Sequence, residues 1–353
     1  MPMVVIAGGA GFIGSQCAEY FAKKDYDVKI IDNFSRGKLL HQKFPRLRFN
    51  ADHLLKTYPN VQLFESDLRD YDKVHSVINN SDGVIFAAGQ TAVTTSLSFP
   101  REDLENNLLT TFNVLESIRN SQKDIPFIYC STNKVYGDNA NRLPIIEHDD
   151  AYSLTEPYIN GFSEDLSVDK CIHSPYGVSK LAADLYVQDY GKIYGLKTGV
   201  FRMSCIYGPY QFGIEDQGWV THFVISALYG KPITIYGNGK QVRDLLFVSD
   251  LVELFKLYLE NCTTVGSDVF NIGGGPKNAI SILQLLKKLR ELCNHEIIIK
   301  SNNWRSGDQK IYVSDIQKAQ KRLNWTPSTS IEKGLKETIR WVSQNKNLFS
   351  NAL

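Results

Sequence analysis

The chain of 353 residues has almost no net charge: 39 basic residues stand against 38 acidic ones, a formal +1. No basic stripe is therefore offered to nucleic acid and no polybasic segment to a membrane surface, so neither is expected as a partner, and any anionic ligand must be met by a few local side chains. Clustered cysteine is also missing. Cys17, Cys130, Cys171, Cys205, Cys262 and Cys293 are scattered, with no Cys-x-x-Cys pair and no His/Cys group at zinc spacing, which predicts reduced packing thiols and no metal site. No apolar run approaches the ~18–20 residues of a membrane span. The N-terminus opens into a strand pattern instead of a signal peptide, so a cytoplasmic location is expected. Internal repeats and low-complexity segments are absent.

What is present begins with glycine. Met3-Val-Val-Ile-Ala7 leads into Gly8-Gly-Ala-Gly11-Phe-Ile-Gly14, and a helix is expected over Ser15–Lys24. Strand, glycine turn and helix is the context in which a backbone can approach a pyrophosphate at a helix N-terminus. A second strand, Asp27–Ile31, ends in Asp32, 18 residues beyond Gly14, close to the ~20 expected of the acid that holds an adenosine ribose. A carboxylate there suits NAD and repels the 2′-phosphate of NADP; Arg36 nearby is the counter-signal.

Strand-like runs at Val61–Glu65, Gly83–Ala88 and Pro126–Cys130 then alternate with helix-like ones at Asp70–Asn79 and Glu102–Arg119, which predicts a parallel sheet covered on both faces. Asp67-Leu68 and Ala87-Ala88-Gly-Gln90 follow two of these strands, at the carboxyl edge where such sheets bind ligands. The fifth strand brings Ser131 and Thr132 to the same edge. His173-Ser-Pro-Tyr176-Gly-Val-Ser-Lys180 opens a helix with Tyr176 and Lys180 one turn apart on one face, and Leu181, Leu185 and Val187 are expected on its buried side. An ammonium so close is expected to lower the tyrosine pKa and make it a base for an alcohol. Residues 139–171 form a long polar insertion without periodicity, expected to be a functional loop or lid. Beyond a strand at Lys197–Met203 the alternation breaks up into a smaller lobe, with a helix near Trp219–Tyr229 and a strand Ile233–Tyr236; strand character then returns at Val242–Val248 and Asp268–Ile272, with a helix Ser249–Glu260 capped by Ser249 between them.

With Gly8, Gly11, Gly14, Asp32, Ser131-Thr132 and Tyr176/Lys180 in this order, the chain resembles the extended short-chain dehydrogenase/reductase superfamily of nucleotide-sugar epimerases and dehydratases, nearly end to end. The resemblance implies an α/β fold, a Rossmann-type doubly wound parallel sheet with a smaller α+β C-terminal substrate lobe. It implies an NAD-binding domain of residues 1–203 plus 242–273 and a nucleotide-sugar-binding lobe of 204–241 plus 274–353. A tightly held NAD would contact Gly8, Gly11, Phe12, Ile13, Gly14, Asp32, Asn33, Ser35, Arg36, Asp67, Leu68, Ala87, Ala88, Gln90, Asn107, Ser131, Tyr176 and Lys180. Thr132, Tyr176 and Lys180 would be catalytic, and Gln90, Thr132, Asn133, Ser204, Gln211, Arg243, Arg305 and Asp308 would bind substrate, the two arginines near its diphosphate. A homo-oligomer, dimer or tetramer, is implied.

Narrower stretches, Gly89–Ser96, Ser131–Gly137, His173–Gly177, Asp216–Trp219, Gly239–Asp244 and Asp308-Gln309, are similar to the branch that inverts C2 of a CDP-activated deoxyhexose, CDP-paratose to CDP-tyvelose. This implies a CDP-sugar substrate. The chain departs from the pattern at Phe86 (often His), Thr91 (often Val), Leu181 (usually Gly) and in the 139–171 insertion. Dehydratase relatives carry Asp-Glu after the catalytic Thr, where this chain has Asn133-Lys134. A UDP-hexose 4-epimerase shares the base and cofactor and stays open, as does a catalytically silent NAD-binding regulatory protein.

Overall fold

The computed structural model describes residues 1–40, 47–305 and 307–349. In chain order come β1 (Met3–Ala7), α1 (Phe12–Ala22), β2 (Asp27–Asp32), α2 (Arg36–Leu39), α3 (Phe49–Thr57), β3 (Val61–Glu65), α4 (Tyr71–Ile78) and β4 (Gly83–Phe86). α5 (Val93–Ser98), α6 (Pro100–Leu104), a π-helical segment (Glu105–Leu109), α7 (Thr110–Arg119) and β5 (Phe127–Thr132) follow. The insertion holds the antiparallel hairpin β6 (Ile145–Glu147) and β7 (Tyr152–Leu154). After it stand α8 (Pro175–Tyr194), β8 (Thr198–Met203), β9 (Cys205–Tyr207), α9 (Trp219–Leu228), β10 (Ile233–Tyr236), β11 (Val242–Phe247), α10 (Val248–Val265) and β12 (Asp268–Ile272). The C-terminal part adds β13 (Ala279–Ser281), α11 (Ile282–Cys293), β14 (Ile299–Asn302), β15 (Ile311–Tyr312), α12 (Gln317–Leu323) and α13 (Ile331–Gln344).

The central sheet has seven strands in the order β12-β8-β5-β4-β1-β2-β3. β1 pairs in parallel with both β2 and β4, so chain order reverses direction at β1. That reversal leaves a crevice outside the carboxyl ends of β1 and β4, the place where open α/β sheets bind ligands. β4 and β5 are buried along their whole length, as strands covered on both faces must be. Val5, Ala7, Val84, Phe86, Phe127 and Tyr129 from the sheet pack with Val114, Leu115, Ala183 and Val187 from α7 and α8.

Contacts divide the chain into two compact units, one of residues 1–135, 174–202 and 252–270, the other of 136–173, 203–251 and 271–353. Residues 136–173, 203, 242–251 and 271–273, expected above with the nucleotide-binding half, are counted with the second unit in this division. Within that second unit β11 pairs with β9, β13 and β15, and β10 pairs with β14. Its small core joins Tyr152, Val242, Ile311 and Val313. Among the described residues no helix is long and apolar enough to cross a membrane.

Several local expectations are corrected. Helix α1 starts at Phe12, not Ser15, because extended Gly11 serves as its N-cap; Ser249 lies inside α10, which begins at Val248. The helix expected over 102–119 is interrupted by the π segment, which contains the buried Asn107. Leu185 is 48% exposed. Val187 is buried as expected, together with Ala183 and Asp184, while Leu181 is only partly buried; this helix is apolar on two sides, and periodicity alone could not say which faces inward.

Candidate active site

The glycine turn is built by close approach. Gly8 (φ +79) sits where a Cβ would lie 2.7 Å from the Ala88 Cα, and a Cβ on Gly14 would lie 2.2 Å from the Gly8 carbonyl oxygen; only glycine admits this packing. A Cβ on Gly11, by contrast, would meet among the described residues only the Gly8 oxygen within 4 Å, at 3.2 Å, so these residues leave room for a ligand on the outer side of the turn. Gly11 supplies no side-chain cap, which leaves the N–H groups of Phe12, Ile13 and Gly14 to an anion.

Asp32 at the end of β2 accepts the Ala10 N–H at 3.0 Å and the Phe34 N–H at 2.8 Å. Burial raises its carboxyl pKa, and those backbone donors pull it back. The Asp32 carboxylate and the glycine turn are thereby fixed to one another. Beside them Asn33 donates to Asp67 at 2.9 Å, the Ser35 N–H donates to Asn33 at 3.1 Å, and the Arg69 guanidinium holds Asp67 down to about 2. Burial lowers Arg36 to about 10. Leu68 is buried, and the Ala87 N–H donates to Ala7 at 2.9 Å. The residues fit a dinucleotide: a turn that a Cβ would fill, an open backbone face, and the buried Asn107 Oδ1, which has no hydrogen-bond partner among the described residues.

The second cluster lies where α8 meets β5. Ser174 caps α8 by accepting the Gly177 N–H at 3.2 Å, with Pro175 in its first turn. Tyr176 and Lys180 leave this turn together, 7% and 4% exposed. The Lys180 Nζ donates to the Cys130 carbonyl at 2.6 Å and lies 4.3 Å from the Tyr129 ring centroid. The expected lowering of the Tyr176 pKa is corrected: burial pushes the phenol up to about 12, against the pull of its hydrogen bond with Thr132. Burial also brings Lys180 down to about 8. Desolvation disfavours both charged forms, and here it outweighs the pairing that sequence spacing suggests. Thr132 accepts the Lys134 N–H at 3.2 Å, Asn133 is 7% exposed, and Ser131 donates to Asp184 at 2.7 Å.

Asp184 was missed from the sequence. It stands four residues after Lys180, on the same face of α8, and takes both Arg202 nitrogens at 3.0 Å and Gln188 at 2.6 Å. Gln90 is 2% exposed, its amide donating to Asp103 at 2.8 Å and to the Ala92 carbonyl at 2.9 Å.

The remaining substrate candidates belong to the second unit. Arg243 meets Asp308 at 2.8 Å, so two of the predicted residues pair directly. Arg305 instead pairs with Asp216 at 2.9 Å and lies 3.9 Å over the Tyr236 ring, partners that the sequence did not suggest. Gln211 donates to the Ile206 carbonyl at 3.2 Å and accepts from Thr221 at 2.5 Å; the Ser204 N–H donates to Ile272 at 2.7 Å.

Comparison with known proteins matches this arrangement to one family. The chain is 37% identical over 347 residues to CDP-paratose 2-epimerase of Salmonella typhi, covering 96% of this chain and 99% of that protein. It is 30% identical to a UDP-glucuronate 4-epimerase of Thermodesulfobacterium geofontis, covering 99% of both. The crystal structure of UDP-glucuronic acid 4-epimerase from Bacillus cereus, in complex with UDP-glucuronic acid and NAD, superposes with a TM-score of 0.79 at 27% identity, covering 97% of this chain and 99% of that one. Residues 4–273 match the NAD dependent epimerase/dehydratase family; with its glycine turn, Asp32 and buried Tyr176/Lys180 pair, the chain belongs to that family of nucleotide-sugar enzymes, and its cofactor is NAD.

Proposed function

We propose that the protein inverts C2 of a CDP-activated deoxyhexose, of the CDP-paratose to CDP-tyvelose kind, through a transient keto-sugar. The observation that carries the epimerase reading is Asn133-Lys134 directly after Thr132: no carboxylic acid stands where a dehydratase needs one to expel water. The choice of CDP and of C2 is supported by the similarity to the Salmonella enzyme. When bound, NAD supplies reversible hydride transfer, turning a secondary alcohol into a ketone and back. Tyr176 takes the proton of that hydroxyl and returns it, Thr132 holds the same oxygen, and Lys180 supports the ribose and the phenol. Arg243 and Arg305 receive the diphosphate in place of Asp308 and Asp216. The anchored nucleotide lets the unanchored sugar present its other face.

At C2 no neighbouring carbonyl acidifies the C–H bond, so the hydrogen that leaves C2 is the one that returns. Turnover in deuterium oxide is expected to leave C2 unlabelled, and substrate deuterated at C2 is expected to keep its label through inversion. Solvent deuterium at C2 would sink this mechanism. A second reading, UDP-hexose 4-epimerisation, is favoured by the UDP-glucuronate relative, and hydrogen shuttling at C4 of a UDP-sugar would select it.

We further propose a cytoplasmic homo-oligomer. Leu104, Leu109, Phe112, Leu185, Tyr186 and Ile193 are exposed on neighbouring helices, with Phe112 and Tyr186 edge to face at 5.8 Å, an apolar surface suited to a second copy. Light scattering of the wild type and of Leu185→Asp tests it; an unchanged mass in the variant overturns the interface.

A further inference from the structure

Asp103 at the end of α6 is 1% exposed and takes no part in the proposed proton transfer. Three donors converge on its carboxylate: Gln90 at 2.8 Å, Asn107 at 3.3 Å and the Ser179 hydroxyl. Asn107 also donates to the Ser179 oxygen at 3.0 Å, and the Ser179 hydroxyl has the Tyr176 carbonyl at 3.1 Å as a second, longer acceptor beside Asp103. With donors on every side it is the ionised carboxylate that is satisfied.

The partners belong to two places that must be in register. Gln90 and Gly89 lie on the loop after β4, at the carboxyl edge of the sheet, and a Cβ on Gly89 would sit 2.4 Å from the Asn107 Oδ1. Ser179 is the neighbour of Lys180 in the first turns of α8, whose Tyr176 N–H is held by Ser96 of α5 at 3.1 Å. Between Asp103 and α7 lies the π segment, a form that natural helices keep mostly at functional positions.

We propose that Asp103 is a positioning residue: through Ser179 it fixes the rotation of α8 about its axis, and through Gln90 and Asn107 it ties that helix to the cofactor-binding edge. This rests on the epimerase reading for its kinetic consequence. A rotation of ten degrees moves an atom about 6 Å from a helix axis by about 1 Å, and misplacement on that scale costs a rate factor of about 10². Its buried negative charge also bears on the pair, opposing loss of a proton from both Tyr176 and Lys180. The other groups facing Lys180 are Asp184 on its own helix, Cys130 and Tyr129 on β5, and Tyr176.

The test compares the wild type, Asp103→Asn and Asp103→Glu as full chains with NAD. Two quantities are measured: kcat and KM for a CDP-deoxyhexose, and the titration midpoint of Lys180 by NMR of carbon-labelled lysine, with Lys180→Arg used to identify the resonance. Asp103→Asn is expected to lower kcat about ten-fold or more with KM changed less than about two-fold, as for an interaction felt in the transition state. It should also move the Lys180 midpoint down from about 8, while Asp103→Glu keeps the midpoint near the wild-type value. Unchanged kcat and midpoint in Asp103→Asn overturn the proposal, as does a fall in kcat without movement of the midpoint. Should Asp103→Asn not fold, Ser179→Ala decides: a kcat loss at unchanged KM supports the clamp and wild-type kcat overturns it. The titration uses no sugar, so a wild type that turns over no nucleotide sugar overturns the proposed reaction while the midpoint still decides the role of Asp103.

Discussion

Asp184 and Arg202 in the first unit meet with side chains 0% and 6% exposed, whereas Arg305 and Asp216 in the second keep 29% and 31%. Both are short ion pairs, but they do different work. Asp184 is bound on every side, by Ser131, Arg202 and Gln188; no ligand could replace a partner without leaving a buried charge alone, so the pair acts as frame. Arg305 has one close carboxylate, a more distant one in Glu215 at 3.8 Å, and an aromatic face to lie on. In water such a pair holds weakly, and an incoming phosphate can displace it.

The contrast breaks most readily at Asp184. Asp184→Ala is expected to destabilise the protein by about 3–5 kcal/mol, because Arg202 is left uncompensated; urea unfolding measures it. Replacing both partners by apolar residues, Asp184→Leu with Arg202→Met, should return most of that stability, and failure to do so would mean that the pair is more than a frame. Next in size, Tyr176→Phe keeps the fold and the bound cofactor but lowers turnover by a factor on the order of 10² or more; near-normal turnover would remove Tyr176 from the chemistry. Asp32→Ala should weaken NAD binding by about 1.5–3 kcal/mol, the worth of hydrogen bonds to a charged group, and relax discrimination against NADP; titration calorimetry with both dinucleotides reads it. Smallest is Arg305→Lys, expected to leave stability within about 0.5 kcal/mol and to raise KM several-fold at constant kcat. A stability loss there as large as that of Asp184→Ala would erase the distinction.

Much of the first unit was legible because its signals are local. Val61–Glu65 and the run that starts at Gly83 read as strands from apolar and β-branched residues, and the Tyr176/Lys180 spacing placed both on one helical face. Continuing that spacing by one turn reaches Asp184, so the signal for the frame was present. Other features were not local. The link from Ser179 to Asp103 joins residues 76 apart in the chain, and nothing in either stretch announces it. The sign of the Tyr176 shift depends on desolvation, a property of packing that a spacing of four residues does not contain. Leu185 was misplaced because α8 has apolar residues on its outer face as well, among them Ile193 at 68% exposed.

The central position of β1 has a consequence for how the chain is made. Val4 pairs with Val28 on one side and with Gly83 on the other, so β1 waits for β4 before its second edge is filled. Such non-local pairing is slow to form, and during vectorial synthesis the Gly8 turn cannot close on Ala88 until residues through Ala88 have left the ribosome. Until then β1 and β2 offer an unpaired apolar edge, the kind of surface that chaperones cover. A nascent fragment ending before Gly83 should therefore bind no dinucleotide, whereas one extending through β5 contains every strand that lines the phosphate turn.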